Sequence, residues 1–163
     1  MAPFNFDEKL VDPVLAEFIE GFYAYADRKE TIERWATCFA EDVVMIRAGG
    51  NVVGPKSKPS NSSHPSIRFC LLMTPEELCE LNESTWENFS SRKHNILKGF
   101  ALSSKPSDEV MLHGYNEYVD TDKSTGRRDW ASRIKFRQTG NGELHITEYQ
   151  SYLVVEVAGG KAK

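Results

Sequence analysis

The chain has 163 residues, enough for one domain with a substantial buried core. Hydrophobic residues make up 40% and charged residues 27%, the balance of an ordinary soluble globular protein. A net charge of −4 gives no electrostatic case for nucleic acid or an anionic membrane as partner, and no apolar run approaches the ~20 residues that span a bilayer.

The opening residues, MAPFNFDEKL, are acidic and lack an apolar signal core, so a cytoplasmic location is expected. Cys38, Cys70 and Cys79 form neither an even set nor a CxxC pair, which fits a reducing compartment and predicts no structural metal. One domain is expected over 1–163, with an irregular loop or lid at 55–73 and a frayed tail at 158–163.

Asp12-Pro13 places a cap and a first-turn proline before Leu15, Phe18, Ile19, Phe22, Tyr25 and Ala26, whose spacing predicts a helix with one apolar stripe. Tyr23 flanks that stripe, either as an ordinary edge tyrosine or with its hydroxyl aimed into a cavity. A second helix is predicted over Glu30–Ala40, burying Ile32, Trp35, Ala36 and Phe39. Asp42–Gly54 then reads as two short strands joined at Gly49-Gly50. Arg47 ends the first, as a surface charge or at the mouth of a pocket.

Pro, Ser and Lys crowd the start of 55–73, where His64 and Cys70 find no partner at metal-ligand spacing. Thr74-Pro75-Glu76-Glu77 is a capping box with proline at the first helical position. The helix it opens is predicted to bury Leu78, Leu81, Thr85 and Phe89, with Trp86 beside them. It is expected to end near Ser91-Arg92-Lys93-His94, where basic side chains suit the negative end of the helix dipole. A strand follows over Asn95–Ser103.

From Glu109 to Val157 three runs rich in β-branched and aromatic residues are separated by turn clusters, TDKSTG and TGNG, and predict consecutive antiparallel strands. In the middle run Trp130, Ser132, Ile134 and Phe136 alternate with charged residues and form the inward face. Asn141-Gly142 favours a two-residue hairpin loop, which would add Thr147, Tyr149, Ser151 and Leu153 to that face. If the first loop is also even, Met111, His113, Tyr115 and Glu117 point inward. A bulge would turn Leu112, Asn116 and Tyr118 inward instead.

No nucleotide-binding glycine loop, nucleophile elbow or spaced triad is present, so neither metal nor cofactor is expected. Three helices beside one antiparallel sheet make an α+β layer.

Phe22-Tyr23, Trp35 with Phe39 and Asp42-Val43, and Trp86 followed by Ser91-Arg92-Lys93-His94 carry a resemblance. It continues through Met111-Leu112-x-Gly114, Asp129-Trp130-Ala131-Ser132-Arg133 and Glu148-Tyr149-Gln150-Ser151-Tyr152-Leu153. Over most of 14–155 the chain resembles the NTF2-like superfamily, and more closely its fungal SnoaL-like branch; the segment Pro55–Met73 is longer than expected there. The resemblance implies a cone-shaped α+β barrel, a homodimer, and a pocket closed by helices over a concave sheet. It also implies acid–base isomerases, cyclases or dehydratases that work without cofactor.

The expected function is therefore rearrangement, cyclisation or dehydration of an apolar polycyclic, polyketide- or terpenoid-type secondary metabolite. The alternative is a non-catalytic ligand carrier or protein-binding dimer. By the facing argument His113, Glu117 and His94 are candidate acids or bases, and Tyr115, Tyr149 and Arg47 candidate donors to developing negative charge. Phe22, Trp86, Trp130 and Phe136 would pack the substrate, with Tyr23, Ser132 and Ser151 contributing hydroxyls. A homodimer is expected through the outward face of Arg133, Lys135, Glu148, Gln150 and Tyr152.

Overall fold

Helix α1, Pro13–Ala26, starts at the expected proline, but its buried stripe is rotated toward Tyr23. Tyr23 is 4% exposed, whereas Phe18 and Tyr25 are only half-buried. A tyrosine can sit that deep because its hydroxyl has a partner inside. The structure is a computed structural model that describes residues 5–6, 13–47, 69–101 and 108–153.

The second predicted helix is much shorter than its periodicity suggests. A 3₁₀ turn at Lys29–Thr31 leads into α2, Ile32–Ala36, and the chain is already extended at Phe39. Phe39–Arg47 forms β2, and its pairing with the last strand begins at Phe39↔Ile146, so a tertiary ladder overrides local helix preference. Phe69–Met73, expected to be irregular, is strand β3, antiparallel to β2. The intervening second half of the predicted short hairpin and His64 fall outside the described residues, as does the tail.

Helix α3, Pro75–Trp86, carries the predicted capping box: the Glu77 N–H donates to Thr74 Oγ1 at 3.3 Å, and the Thr74 N–H to Glu77 Oε2 at 2.9 Å. It ends at Trp86 and not near His94. Strand β4, Phe89–Ala101, takes up the basic residues, pairing Arg92 with Tyr118 and His94 with Asn116. Two-residue alternation along 89–101 wins over the helix-end reading, and it turns Arg92 and His94 to one face.

The remaining elements are β5 (Glu109–Asp120), β6 (Thr125–Gln138), β7 (Leu144–Leu153) and a short β1 (Asn5–Phe6). One seven-stranded mixed sheet results, in the order β1-β4-β5-β6-β7-β2-β3. The β1–β4 and β2–β7 pairs are parallel and the others antiparallel. The three helices cover one face of this curved, unclosed sheet. The core between them holds Leu15, Ile19, Phe22, Leu78, Leu112 and Ile134.

The register of the long strands is set by two loops built alike. Lys123 N–H donates to Asp120 C=O at 3.0 Å and Asp120 N–H to Ser124 C=O at 2.8 Å, with Lys123 at φ 71°. Gly142 N–H donates to Thr139 C=O at 2.9 Å and Thr139 N–H to Glu143 C=O at 2.8 Å, with Gly142 at φ 90°. Both are odd loops, a tight turn followed by one left-handed residue, so the expected two-residue Asn-Gly turn does not form. The first odd loop pairs Leu112 with Ser132 and Gly114 with Trp130, which selects the alternative register. The second would by itself turn Glu148 inward. A register shift between Lys135 and Phe136, at Thr147 on the facing strand, restores Tyr149 opposite Ile134 and Ser151 opposite Ser132. Ile146, fully buried, takes the inward position expected of Thr147.

Candidate active site

Between α1, α3 and the concave face of the sheet lies a cavity of about 170 Å³. Its walls are mainly apolar, from Phe22, Trp35, Met45, Leu81 and Trp130, and two hydrogen-bonded networks reach it.

The first is an acid–base pair. Asp27 immediately follows α1. Its Oδ2 accepts the backbone N–H of His94 at 2.7 Å, and its Oδ1 accepts the His94 ring at Nδ1. A carboxylate only accepts, so Nδ1 carries a proton, and His94 lines the cavity. The His94 ring lies 5.0 Å from that of Tyr23 and 5.7 Å from that of Trp130.

Arg92, two residues earlier on the same face, ties the surrounding elements together. It donates to Thr85 Oγ1 at 2.9 Å, to Asn82 Oδ1 at 3.2 Å and to the C=O of Ala26, and its Nε lies 3.8 Å from Asp27 Oδ1. Its guanidinium also lies 4.8 Å from the centre of the Trp86 ring. Burial lowers the Arg92 pKa and the charge of Asp27 opposes this; a guanidinium keeps its proton throughout. The local charge is thus Arg92 against Asp27, already balanced.

The second network is a chain of hydroxyls below the first. Tyr23 Oη lies 2.9 Å from Ser132 Oγ and 3.4 Å from Tyr149 Oη. The Tyr23 ring stacks on Trp130, with centroids 5.1 Å apart and planes 28° apart. Burial first, and the neighbouring Tyr149 second, push the Tyr23 phenol well above its usual pKa, so it stays a neutral hydroxyl. It can donate a hydrogen bond but cannot serve as a base.

Of the residues named from the sequence, Phe22, Tyr23, His94, Trp130, Tyr149 and Ser151 line this cavity. Ser132 is fully buried beneath it, and Trp86 supports it through Arg92. Phe136 is instead a core residue, edge-on to Phe18 at 5.8 Å. His113, Tyr115 and Glu117 lie on the opposite face of the sheet, because the first loop is odd. There His113 stacks against Phe100, Arg127 covers the Tyr115 ring at 3.7 Å, and Glu117 accepts from Asn95 at 3.1 Å. Arg47 ends β2, and its side chain lies outside what is described.

Sequence reasoning missed Asp27, Asn82, Thr85 and the role of Arg92. No motif spacing connects Asp27 to His94, 67 positions apart. Among the described residues no cluster of three His, Cys, Asp or Glu could hold a metal ion, and no helix is long and apolar enough to cross a membrane.

No protein-family model matches the sequence, and neither does any curated protein. Solved structures do match. Nuclear transport factor 2 from Cryptosporidium parvum superposes with a TM-score of 0.57 at 11% identity, covering 84% of this chain and 89% of that one. A protein named as a SnoaL-like polyketide cyclase, from Shewanella denitrificans OS-217, gives 0.56 at 10% identity, covering 87% and 91%. ActVI-ORFA from Streptomyces coelicolor gives 0.57 at 12%, covering 86% and 94%. At such identities the likeness concerns architecture. The chain has the NTF2-like fold, an α+β cone of three helices on a curved, unclosed mixed sheet.

Proposed function

We propose that this protein is an acid–base catalyst of the fungal SnoaL-like kind, an isomerase, cyclase or dehydratase acting on a polycyclic polyketide- or terpenoid-type metabolite without metal or organic cofactor. The observation that carries the reading is the Asp27–His94 pair, with its tautomer fixed, at the wall of an apolar cavity. His94 Nε2 takes a proton from the carbon next to a substrate carbonyl, and the C–H electron pair moves into an enolate. The imidazolium then returns that proton to a second carbon, or to a departing hydroxyl in a dehydration. Asp27 fixes the ring and steadies its charged form, while Tyr149 and Ser151 orient the substrate. The cavity volume is close to the ~150 Å³ that holds a benzene, so one ring of a polycycle fits within its walls.

The competing reading is a carrier that holds the same ligand without chemistry. Proton exchange separates them. With 1-indanone in D₂O, the enzyme should speed deuterium uptake at the carbon beside the carbonyl, and His94→Ala should abolish the acceleration. Binding of the ketone with no acceleration by the wild type would favour the carrier.

We further propose a homodimer through the outward face of the long strands. Arg133 is paired there with Glu109 and Glu148, Lys135 lies 3.5 Å from Glu148, and Gln150 is only 3% exposed. This supports a structured face of matched charges.

A further inference from the structure

Around the Asp27–His94 pair, five cavity-lining side chains have a buried polar atom with no hydrogen-bond partner in the protein: Trp35 Nε1, Asn82 Nδ2, Arg92 Nε, Trp130 Nε1 and Asn116 Oδ1. Asn82 and Trp130 are each 5% exposed. Buried polar groups are nearly always paired, so such a set around one cavity marks where a ligand supplies the partners.

The sense of each group is legible. Asn82 Oδ1 is held by Arg92 at 3.2 Å and approached by the Thr85 hydroxyl at 3.4 Å, which fixes the amide and leaves its N–H free. The indole of Trp130 can only donate. Asn116 pairs directly with His94 across β4 and β5, and both residues line the cavity. The site therefore offers four N–H donors, on Trp35, Asn82, Arg92 and Trp130, and one acceptor on Asn116. Charge selects further. Arg92 is the cation here: its terminal nitrogens are held by Thr85, Asn82 and Ala26, and its Nε, which makes no hydrogen bond, faces Asp27 at 3.8 Å, so its charge is already balanced against an anionic ligand.

We infer that the ligand is a neutral hydroxy-ketone, whose carbonyl oxygen is held by Asn82 and Trp130 and whose hydroxyl donates to Asn116, rather than a hydrocarbon or a carboxylate. This rests on the cavity being the functional site, as proposed above, and it names the substrate class. A hydrocarbon would displace water and leave all five polar groups unpaired, which a site built for hydrogen bonding strongly disfavours.

The test is a matched set of bicyclic probes: indane, 1-indanone, 4-hydroxy-1-indanone and indane-1-carboxylate, with affinities measured by calorimetry on the full chain. The hydroxy-ketone should bind about tenfold or more tighter than indane, with the carboxylate weaker than either ketone. Asn82→Asp keeps the acceptor for Arg92 while removing the donor, and Trp130→Phe keeps a ring while removing the indole N–H. Each should cut the hydroxy-ketone-to-indane ratio about fivefold or more. Far-UV circular dichroism verifies that each variant is folded. Equal binding of indane, tightest binding of the carboxylate, or a ratio unchanged in both folded variants would overturn the inference. The readout needs no turnover. A carrier would show the same preferences while failing the exchange test, so the two readings fail separately.

Discussion

Asp27 holds His94 at two points, taking its backbone N–H on one carboxylate oxygen and its ring Nδ1 on the other. The strand and the imidazole are thereby fixed to the end of α1 by a single side chain. Replacing Asp27 with Asn puts an N–H where an acceptor stood and favours the wrong ring tautomer. Asp27→Asn and His94→Ala are each expected to slow 1-indanone exchange by ~10²-fold or more, measured by proton NMR on folded protein.

The outer face gives the contrasting set. His113→Ala, Tyr115→Phe and Glu117→Gln should change that exchange rate by less than about twofold, because none of these side chains reaches the cavity and surface changes have small effects. A loss comparable to that of His94→Ala would mean that chemistry occurs on the other side of the sheet.

Tyr23 links stability to alkaline pH. Its folded-state pKa is raised by burial and by Tyr149, so the folded protein keeps a proton that the unfolded chain loses near pH 10. Stability from this group is complete below that pH and falls as pH rises above it. Tyr23→Phe should lower the melting temperature at pH 7, through loss of the Ser132 bond worth ~1 kcal/mol. It should also flatten the decline between pH 9 and pH 11, roughly the range over which a tyrosine titrates.

Gly114 lies where β5 crosses close to β4. A Cβ there would overlap the carbonyl oxygen of Asn95, a backbone atom that cannot swing aside. Gly114→Ala should destabilise by about 2–3 kcal/mol, read from denaturant unfolding, and disturb the neighbouring His94. By contrast, Gly140 meets nothing within 4 Å, and Gly140→Ala should be nearly neutral.

Cys38 is 9% exposed, and burial pushes its thiol up to about 11. At pH 8 it is therefore almost wholly protonated, and the thiolate is the reactive form. Iodoacetamide should leave Cys38 unlabelled in the native protein and label it after unfolding, as read by mass spectrometry. Light scattering tests the proposed dimer, which should have twice the 18.5 kDa chain mass.

The sequence by itself determined the class of fold and much of one cavity wall. Two-residue alternation from Trp130 to Phe136, β-rich runs and turn clusters identify the terminal strands, and the Thr74 capping box places α3, because these signals are local. The pattern around Asn141-Gly142 places Tyr149 and Ser151 inward with Trp130, through an even loop. In the structure an odd loop and a compensating shift reach the same face. Only the tertiary structure decided the face of β5. One residue in the loop at 121–123 exchanges His113, Tyr115 and Glu117 for Leu112, Gly114 and Asn116, and composition holds no record of that parity. The same holds for Asp27. A single aspartate after a helix says nothing of a histidine 67 positions away until β4, rather than the end of α3, carries that histidine to it. Strands could be read where their pattern is local; the acid–base pair exists only where long-range pairing brings two solitary residues into contact.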